Sequence, residues 1–260
     1  RKFVFVSGCP RSGTTVLAHI LNWGDSIFIG QERFSVLLNE HPDAFTPGLF
    51  EMPRLGRFEP GDCLYPSYGA KDEYFAWYAA TKPFDQIGAM ARIGDKIPNL
   101  YAFFDVFKAP AWADCDITVL HIVRNIQDVA ASFQSRKENP ADGWDADYLA
   151  AIPAWSNSVA CAHALVDRPD TNVRMGIVDY DSIFEGDLPA LVASVRRIYG
   201  FIGAEFGSRQ ESGMQRIYRS CQQLKKNRQP RFTVCAWPCW KPAATSLKRS
   251  SCTSAAAMRC

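Results

Sequence analysis

Beyond Glu211 the chain has no acidic residue. Ten of its 29 lysines and arginines lie in that stretch, from Arg216 to Arg259, so the part before it has 19 basic against 27 acidic side chains. The body therefore carries −8 while the whole protein carries +2, and the two parts call for separate readings. No apolar run approaches the eighteen or so residues that a membrane-crossing helix needs. Five cysteines crowd the end, Cys221, Cys235, Cys239, Cys252 and Cys260; no histidine follows His163, so a zinc set begun by the Cys-x3-Cys pair Cys235 and Cys239 could be completed only by Cys252 and Cys260, and zinc is not the expectation. Cys9, Cys63, Cys115 and Cys161 stand singly in the body, in no metal-ligand or disulfide spacing. They read as free thiols of a reducing compartment, and a cytoplasmic location is the expectation. The chain starts at Arg1 rather than methionine, which is compatible with a removed upstream signal or anchor. There is no internal repeat.

What is present suffices for a sizeable core: 260 residues, 47% of them hydrophobic and 22% charged. Near the front, "SGCPRSGTTVL" (7–17) places Gly8 to Thr15 in the phosphate-cradling pattern G-x-x-x-x-G-K-[ST], except that Thr14 stands where lysine belongs. Such a loop can hold an anion with backbone amides, yet here it lacks the usual fixed cation.

Strands and helices alternate along the chain. "KFVFV" (2–6) is a β-rich run leading into the Gly8 loop, and Val16, Leu17, Ile20 and Leu21 mark a helix face that stops at Gly24. "IFIG" (27–30) is a short strand. The Pro-, Gly- and aromatic-rich stretch 42–71 predicts loops or short helices over one face of a sheet. "ITVLHIV" (117–123) is a nearly continuous apolar run, as expected of a strand buried on both sides, and it delivers Arg124 to its end. Asn125 is then an N-cap and Asp128 an acidic residue in the first helical turn. A helix over 148–166 is predicted to be interrupted by Pro153. "VRMGIV" (173–178) reads as a strand, and the helix beginning at Leu188 ends at Gly200 or Gly203. A further helix ends near Arg228. The expected fold class is α/β, a three-layer αβα sandwich around a central parallel sheet.

Ligands of such sheets lie at the C-terminal strand edges, where the Gly8 loop and Arg124 would share one cleft. A glycine-rich turn alone serves equally to reverse the chain, and a lone arginine after a strand is usually solvated or salt-bridged. Together, each between strand and helix, they point to an anion site.

"PRSGTT" (10–15) with "VRNIQDVAASF" (123–133) resembles the paired signature of the P-loop sulfotransferases, which use 3′-phosphoadenosine-5′-phosphosulfate (PAPS). "GDKIPNLY" (94–101) is similar to the family's lysine-proline segment, and 180–203 to its late Y-[ED]-x-[IL] stretch and helix. The resemblance implies a sulfotransferase-like P-loop domain over 1–228, with Arg11, Ser12, Gly13, Thr14 and Thr15 on the 5′-phosphosulfate and Arg124 and Ser132 on the 3′-phosphate. Tyr180 is a further cofactor-binding candidate. The spacing from Arg11 to Glu32 matches the position of the catalytic glutamate in the protein-tyrosine sulfotransferase branch.

Glu32 is thus the candidate general base, Lys96 the cation for charge growing on the leaving phosphate, and Arg11 a third catalytic candidate. Asp95 is placed to orient Lys96, and Arg33 to hold the acceptor or the glutamate. His19 and His121 receive no role. No metal is expected, because a sulfuryl group has one charge fewer than a terminal phosphoryl group and fixed cations suffice. The acceptor is a hydroxylated molecule, small or large, with loops 42–84 and 139–155, including Trp77, Tyr78, Trp144 and Tyr148, as candidate pocket walls. A kinase acting on a small molecule and a cofactor-binding module without catalysis are the alternatives. No nucleic-acid partner is expected, and the oligomeric state is open.

The end departs from the family. No glycine-rich basic motif appears after Gly213, and 229–260 is an atypical Cys-rich tail without periodicity, expected to be disordered or read in a shifted frame. Attraction of this tail to an anionic surface would rest on charge alone.

Overall fold

Five strands form one all-parallel sheet in the order β2-β3-β1-β4-β5. They are β1 (Lys2–Ser7), β2 (Ile27–Gln31), β3 (Arg92–Lys96), β4 (Asp116–Val123) and β5 (Val173–Asp179). The helices are α1 (Thr14–Leu21), α2 (Ser35–Glu40), α3 (Phe84–Ile87), α4 (Ile126–Lys137), α5 (Tyr148–Val166), α6 (Tyr180–Phe184), α7 (Leu188–Phe201) and α8 (Ser208–Asn227). This computed structural model describes residues 2–63, 84–140, 142–166 and 172–227. Trp77, Tyr78 and the tail 229–260 lie outside the described residues.

The period-2 alternation of β1 explains the layering. Phe3 and Phe5 face one side and Val4 and Val6 the other. The phenylalanine side meets an aromatic cluster contributed by the short 3-10 segments Pro47–Phe50 and Pro110–Trp112, with Phe3 at 5.1 Å from Trp112 and Phe5 at 5.5 Å from Phe50, both edge-on. Each such pair contributes about 0.5–1.5 kcal/mol beyond the area it buries. The valine side is covered by α1 and α7, with Tyr199 donating to the carbonyl of Ile20 at 2.7 Å. Helices lie on both faces of the sheet, which is the three-layer α/β sandwich expected.

Two local expectations change. Strand β3 is not evident from the sequence because Gly94 and Asp95 stand in its middle. The structure explains the glycine: a Cβ there would lie 1.8 Å from the carbonyl oxygen of Val4 on the neighbouring strand. Helix α5 continues through Pro153 instead of breaking. Pro153 is exposed, and so is Leu149, whose carbonyl loses its partner.

Helix α5 also bears on the membrane expectation. Its 19 residues, with mean hydropathy 1.3, are long and apolar enough to cross a bilayer by length and composition, the one such helix among the described residues. In this fold it packs Ala151, Ser158, Ala162 and Leu165 inward against α4, β5 and the 98–108 segment.

Candidate functional site

Because all five strands are parallel, every candidate functional residue except Ser132 emerges from the same edge of the sheet. Glu32 follows β2, Lys96 ends β3, the glycine-rich loop follows β1, Arg124 follows β4 and Tyr180 follows β5. Ser132 reaches the same place from α4, eight residues beyond Arg124.

Helix α1 begins at Gly13, a left-handed N-cap (φ 99) without a side-chain cap. The first intrahelical bond is Leu17 N to Gly13 O at 3.1 Å, so the amides of Thr14, Thr15 and Val16 precede it and form the positive end of the helix. A Cβ on Gly13 would meet the Tyr180 ring at 2.5 Å. The glycine thus serves both the backbone turn and the close approach of the aromatic wall.

Arg124 lies over the same ring, its guanidinium carbon 4.4 Å from the Tyr180 ring centroid. It pairs with Asp128 at 3.4 Å, and its buried Nε has no hydrogen-bond partner. A buried, unsatisfied guanidinium N–H is destabilising unless an anion completes it. The turn bearing it is held by Trp155 Nε1 donating to the Arg124 carbonyl (2.8 Å) and by the Asn125 amide donating to Asp181 (2.9 Å). Asn125 caps α4 as expected, accepting from Gln127 N at 2.8 Å.

These groups line one cavity of about 510 Å³, formed by Arg11, Gly13, Thr14, Thr15, Arg124, Ser132 and Tyr180 together with Val16, His19, Trp23 and Ile217. Seven of the residues expected to bind cofactor are therefore brought together. Ser12 is the exception: it is buried, its Oγ has no partner and its amide is taken by the Cys9 carbonyl at 3.0 Å. Arg11 donates from Nε to Ser132 Oγ at 3.0 Å, so its guanidinium stands at the Arg124–Ser132 end of the cavity. Partial burial, then the charge of Arg136, and also that of Arg124, hold Arg11 below the ordinary arginine value, with Asp142 opposing. An accumulation of guanidinium groups of this kind suits a multiply charged anion.

Glu32 and Lys96 form a second unit. Lys96 Nζ donates to Glu32 Oε1 at 2.5 Å; the lysine side chain is 3% exposed and the glutamate 30%. The Glu32 amide donates to the Lys96 carbonyl at 2.9 Å. Neither residue lines the cavity. His19, which does, stands between: its Nε2 lies 3.4 Å from Gln31 Nε2, and burial followed by the Lys96 charge holds its pKa below the usual histidine value.

Among the described residues, the non-glycine residues with positive φ are Arg11 (71°) and Glu32 (54°), both candidate catalytic groups. Such backbone conformations persist only where surrounding contacts enforce them, and they concentrate at functional sites.

Two supporting expectations are revised. Arg33 is fully buried and donates to Asp62 Oδ2 (2.7 Å) and to the carbonyl of Arg57 (2.8 Å), so it faces the 54–62 loop and not an acceptor. Asp95 receives the Phe34 amide at 3.0 Å, because neighbouring residues of a strand face opposite sides and Lys96 points away from it. His121 is buried, bonded to Ser158 at 3.0 Å, in keeping with a structural histidine. One acidic group, Asp128, Asp181 and Glu185, brings carboxylate oxygens within 4.8 Å of one another, but Arg124 and the Asn125 amide already engage two of them.

The cavity residues that the sequence reasoning missed are Val16, His19, Trp23 and Ile217. Val16 and His19 lie in the α1 stretch already read as a helix. Trp23 and Ile217 are joined only in space, where Gly213 lets α8 lie against the indole; a Cβ there would be 2.4 Å from it.

A parallel α/β sheet carries at one edge a glycine-rich loop without the phosphate-loop lysine, an arginine and a serine that share its cavity, and a nearby carboxylate–lysine pair; the fold is that of a P-loop transferase. A family model described as the sulfotransferase family matches residues 4–208, and the chain belongs to that family. Among solved structures, the sulfotransferase domain of the Synechococcus PCC 7002 olefin synthase is similar in fold (TM-score 0.50, 17% identity, 81% of this chain and 76% of that one). The sulfotransferase domain from the curacin biosynthetic pathway gives TM-score 0.48 at 17% identity over 80% and 75%. Mouse sulfotransferase SULT7A1 complexed with PAP gives TM-score 0.44 at 17% identity over 90% and 68%. A search of curated proteins found no match.

Proposed function

We propose that the protein transfers a sulfuryl group from PAPS to a hydroxyl acceptor, in line and without a metal. One observation carries the reading: a single cavity unites the α1 amides with Arg124 and Ser132, two receptors that suit the two phosphate groups of one adenosine bisphosphate. Arg124 Nε, buried without a partner, fits the 3′-phosphate that distinguishes this donor from ATP. With Thr14 at the lysine position, the loop itself is poorly suited to a nucleoside triphosphate, which weighs against a kinase.

In this reading the acceptor oxygen attacks sulfur as the bond from sulfur to the 5′-phosphate oxygen breaks, and adenosine 3′,5′-bisphosphate (PAP) leaves. Glu32 takes the hydroxyl proton. Lys96, released from Glu32 as that carboxylate is protonated, is then available to the negative charge growing on the departing phosphate. Arg11 serves the cofactor from the loop, its guanidinium standing beside Ser132 on the side assigned to the 3′-phosphate. Catalysis rests on positioning and charge, as in phosphoryl transfer.

The test is transfer from radiolabelled PAPS to a panel of hydroxylated acceptors, with PAP binding measured in parallel by calorimetry. Transfer that depends on PAPS supports the reading. Binding without transfer to any acceptor supports the catalytically impaired module, and absence of PAP binding overturns both.

A further inference from the structure

The left-handed turn at Glu32 is held from two sides. On one side the Arg33 side chain is locked into the 54–62 loop: its guanidinium lies 3.7 Å from the Phe58 ring centroid, and Asp62 accepts from both Arg33 and Arg54. On the other side the amide of Phe34 donates to Asp95 Oδ2. Ser35 closes the turn, its amide (3.3 Å) and hydroxyl (3.0 Å) both donating to the Glu32 carbonyl.

Asp95 is 0% exposed, and its second oxygen, Oδ1, has no hydrogen-bond partner. A half-satisfied buried carboxylate is a destabilising way to fill a place in a sheet, since an apolar side chain would pack there without the desolvation penalty. What the carboxylate supplies is an acceptor for a loop amide. Asp95 and Lys96, adjacent on β3 and facing opposite sides, therefore grip one turn at two points. Lys96 holds the Glu32 carboxylate and Asp95 the backbone two residues on.

We propose that Asp95 is a positioning residue for sulfuryl transfer: by holding the Phe34 amide, its carboxylate keeps Glu32 in the left-handed conformation that presents the base to Lys96 and to the acceptor hydroxyl. This rests on the reading of Glu32 as the base. Burial pushes the Asp95 carboxyl up to about 7, against the amides of Phe34 and Arg33 and the charge of Lys96, with Glu32 adding to the rise. Below that pH Asp95 is neutral and a weaker acceptor, because hydrogen bonds to an ionised carboxylate are the stronger kind. The grip on the turn thus loosens as the pH falls through about 7.

Two variants and two readouts test this. Asp95→Ala removes the acceptor and is expected to lower kcat at least tenfold while PAP affinity stays within about twofold; Asp95→Asn, a neutral acceptor like the protonated carboxyl, is expected to show at pH 8 the lowered kcat that the unaltered enzyme reaches only below about pH 7. The kcat–pH profile of the unaltered enzyme should fall below about 7 on a limb that Asp95→Asn lacks. Independently of turnover, the Phe34 amide proton followed by NMR should titrate near pH 7 in the unaltered protein and stay flat in Asp95→Asn. A Phe34 amide that does not titrate, or kcat at the original level in both variants, overturns the proposal. Equal loss of PAP binding and kcat in Asp95→Ala does so too, showing a general structural role. If Asp95→Ala does not fold, Asp95→Asn and the amide titration decide. Should Glu32→Gln prove fully active, the reading of the base fails instead, and the amide titration still judges the turn.

Discussion

Lys96 Nζ meets Glu32 Oε1 at 2.5 Å across the ends of two neighbouring strands, although 64 residues separate them in the chain. The pairing leaves a carboxylate 30% exposed next to a lysine that is almost wholly enclosed. A half-buried acid paired with an enclosed cation suits, under the proposed function, the taking of a proton and the stabilising of a leaving group.

Replacing Glu32 by Gln should therefore lower turnover by about 10²–10⁴-fold, the range for loss of general base catalysis. PAP affinity should change little, since Glu32 lies outside the cavity. Single-turnover transfer and calorimetry on the same preparation read the two quantities. A collapse of PAP binding with high residual turnover would sink the assignment of the base.

Arg124→Ala should selectively weaken recognition of the 3′-phosphate. One charge-assisted hydrogen bond contributes about 1.5–3 kcal/mol, so PAP should bind roughly 10–100-fold more weakly. The control is 5′-AMP, which lacks the 3′-phosphate and should lose little. Equal weakening of both ligands would count against the role.

Gly13→Ala strikes the loop itself. The substitution forces a side chain onto φ 99 and against the Tyr180 ring. It should cost about 1–2 kcal/mol of stability from the left-handed backbone alone and reduce PAP affinity at least tenfold. Thermal unfolding with and without PAP separates the two effects: the variant should lose most of the ligand-induced rise in Tm.

Two buried groups give the stability–pH curve opposing slopes. Burial lowers the pKa of His121 from 6.5 to about 4, so the unfolded chain binds the extra proton between those values and stability falls as pH drops from 6.5 to 4. Asp95 acts the other way: with its carboxyl raised from 3.8 to about 7, the folded state holds the extra proton, and stability falls as pH rises from 3.8 to 7. At 1.36 kcal/mol per pK unit the two amount to about 3 and about 4 kcal/mol. They nearly cancel in the unaltered protein between pH 4 and 6.5. Urea melts should show a nearly flat profile there, a rising one with pH in Asp95→Asn, and a falling one in His121→Met. Below pH 4 a further loss is expected as Asp62 is protonated. Burial opposes its ionisation, but hydrogen bonds from Arg54, the Glu59 amide and Arg33 outweigh that and hold its pKa below the ordinary value. A steep slope between pH 4 and 6.5 in the unaltered protein would contradict the cancellation.

The amino-acid order alone determined the class of architecture and placed four strands to within one residue at either end. The β-rich runs at Lys2, Ile27 and Ile117 are strands buried by their apolar residues, the run at Val173 is the more open edge strand of the same sheet, and a glycine-rich turn between strand and helix presents backbone amides by its geometry. Strand β3 escaped because Gly94 and Asp95 are poor strand formers, chosen for a neighbouring backbone and a distant amide. Only tertiary structure decided which charges meet. It turned Arg33 inward to Asp62, set Asp95 on the Phe34 amide, brought Arg11 to Ser132 and completed the cavity with Trp23 and Ile217. Local sequence determines how a segment folds through the few residues on either side of it. Electrostatic and packing partners are determined by sheet order, which places residues far apart in the chain side by side.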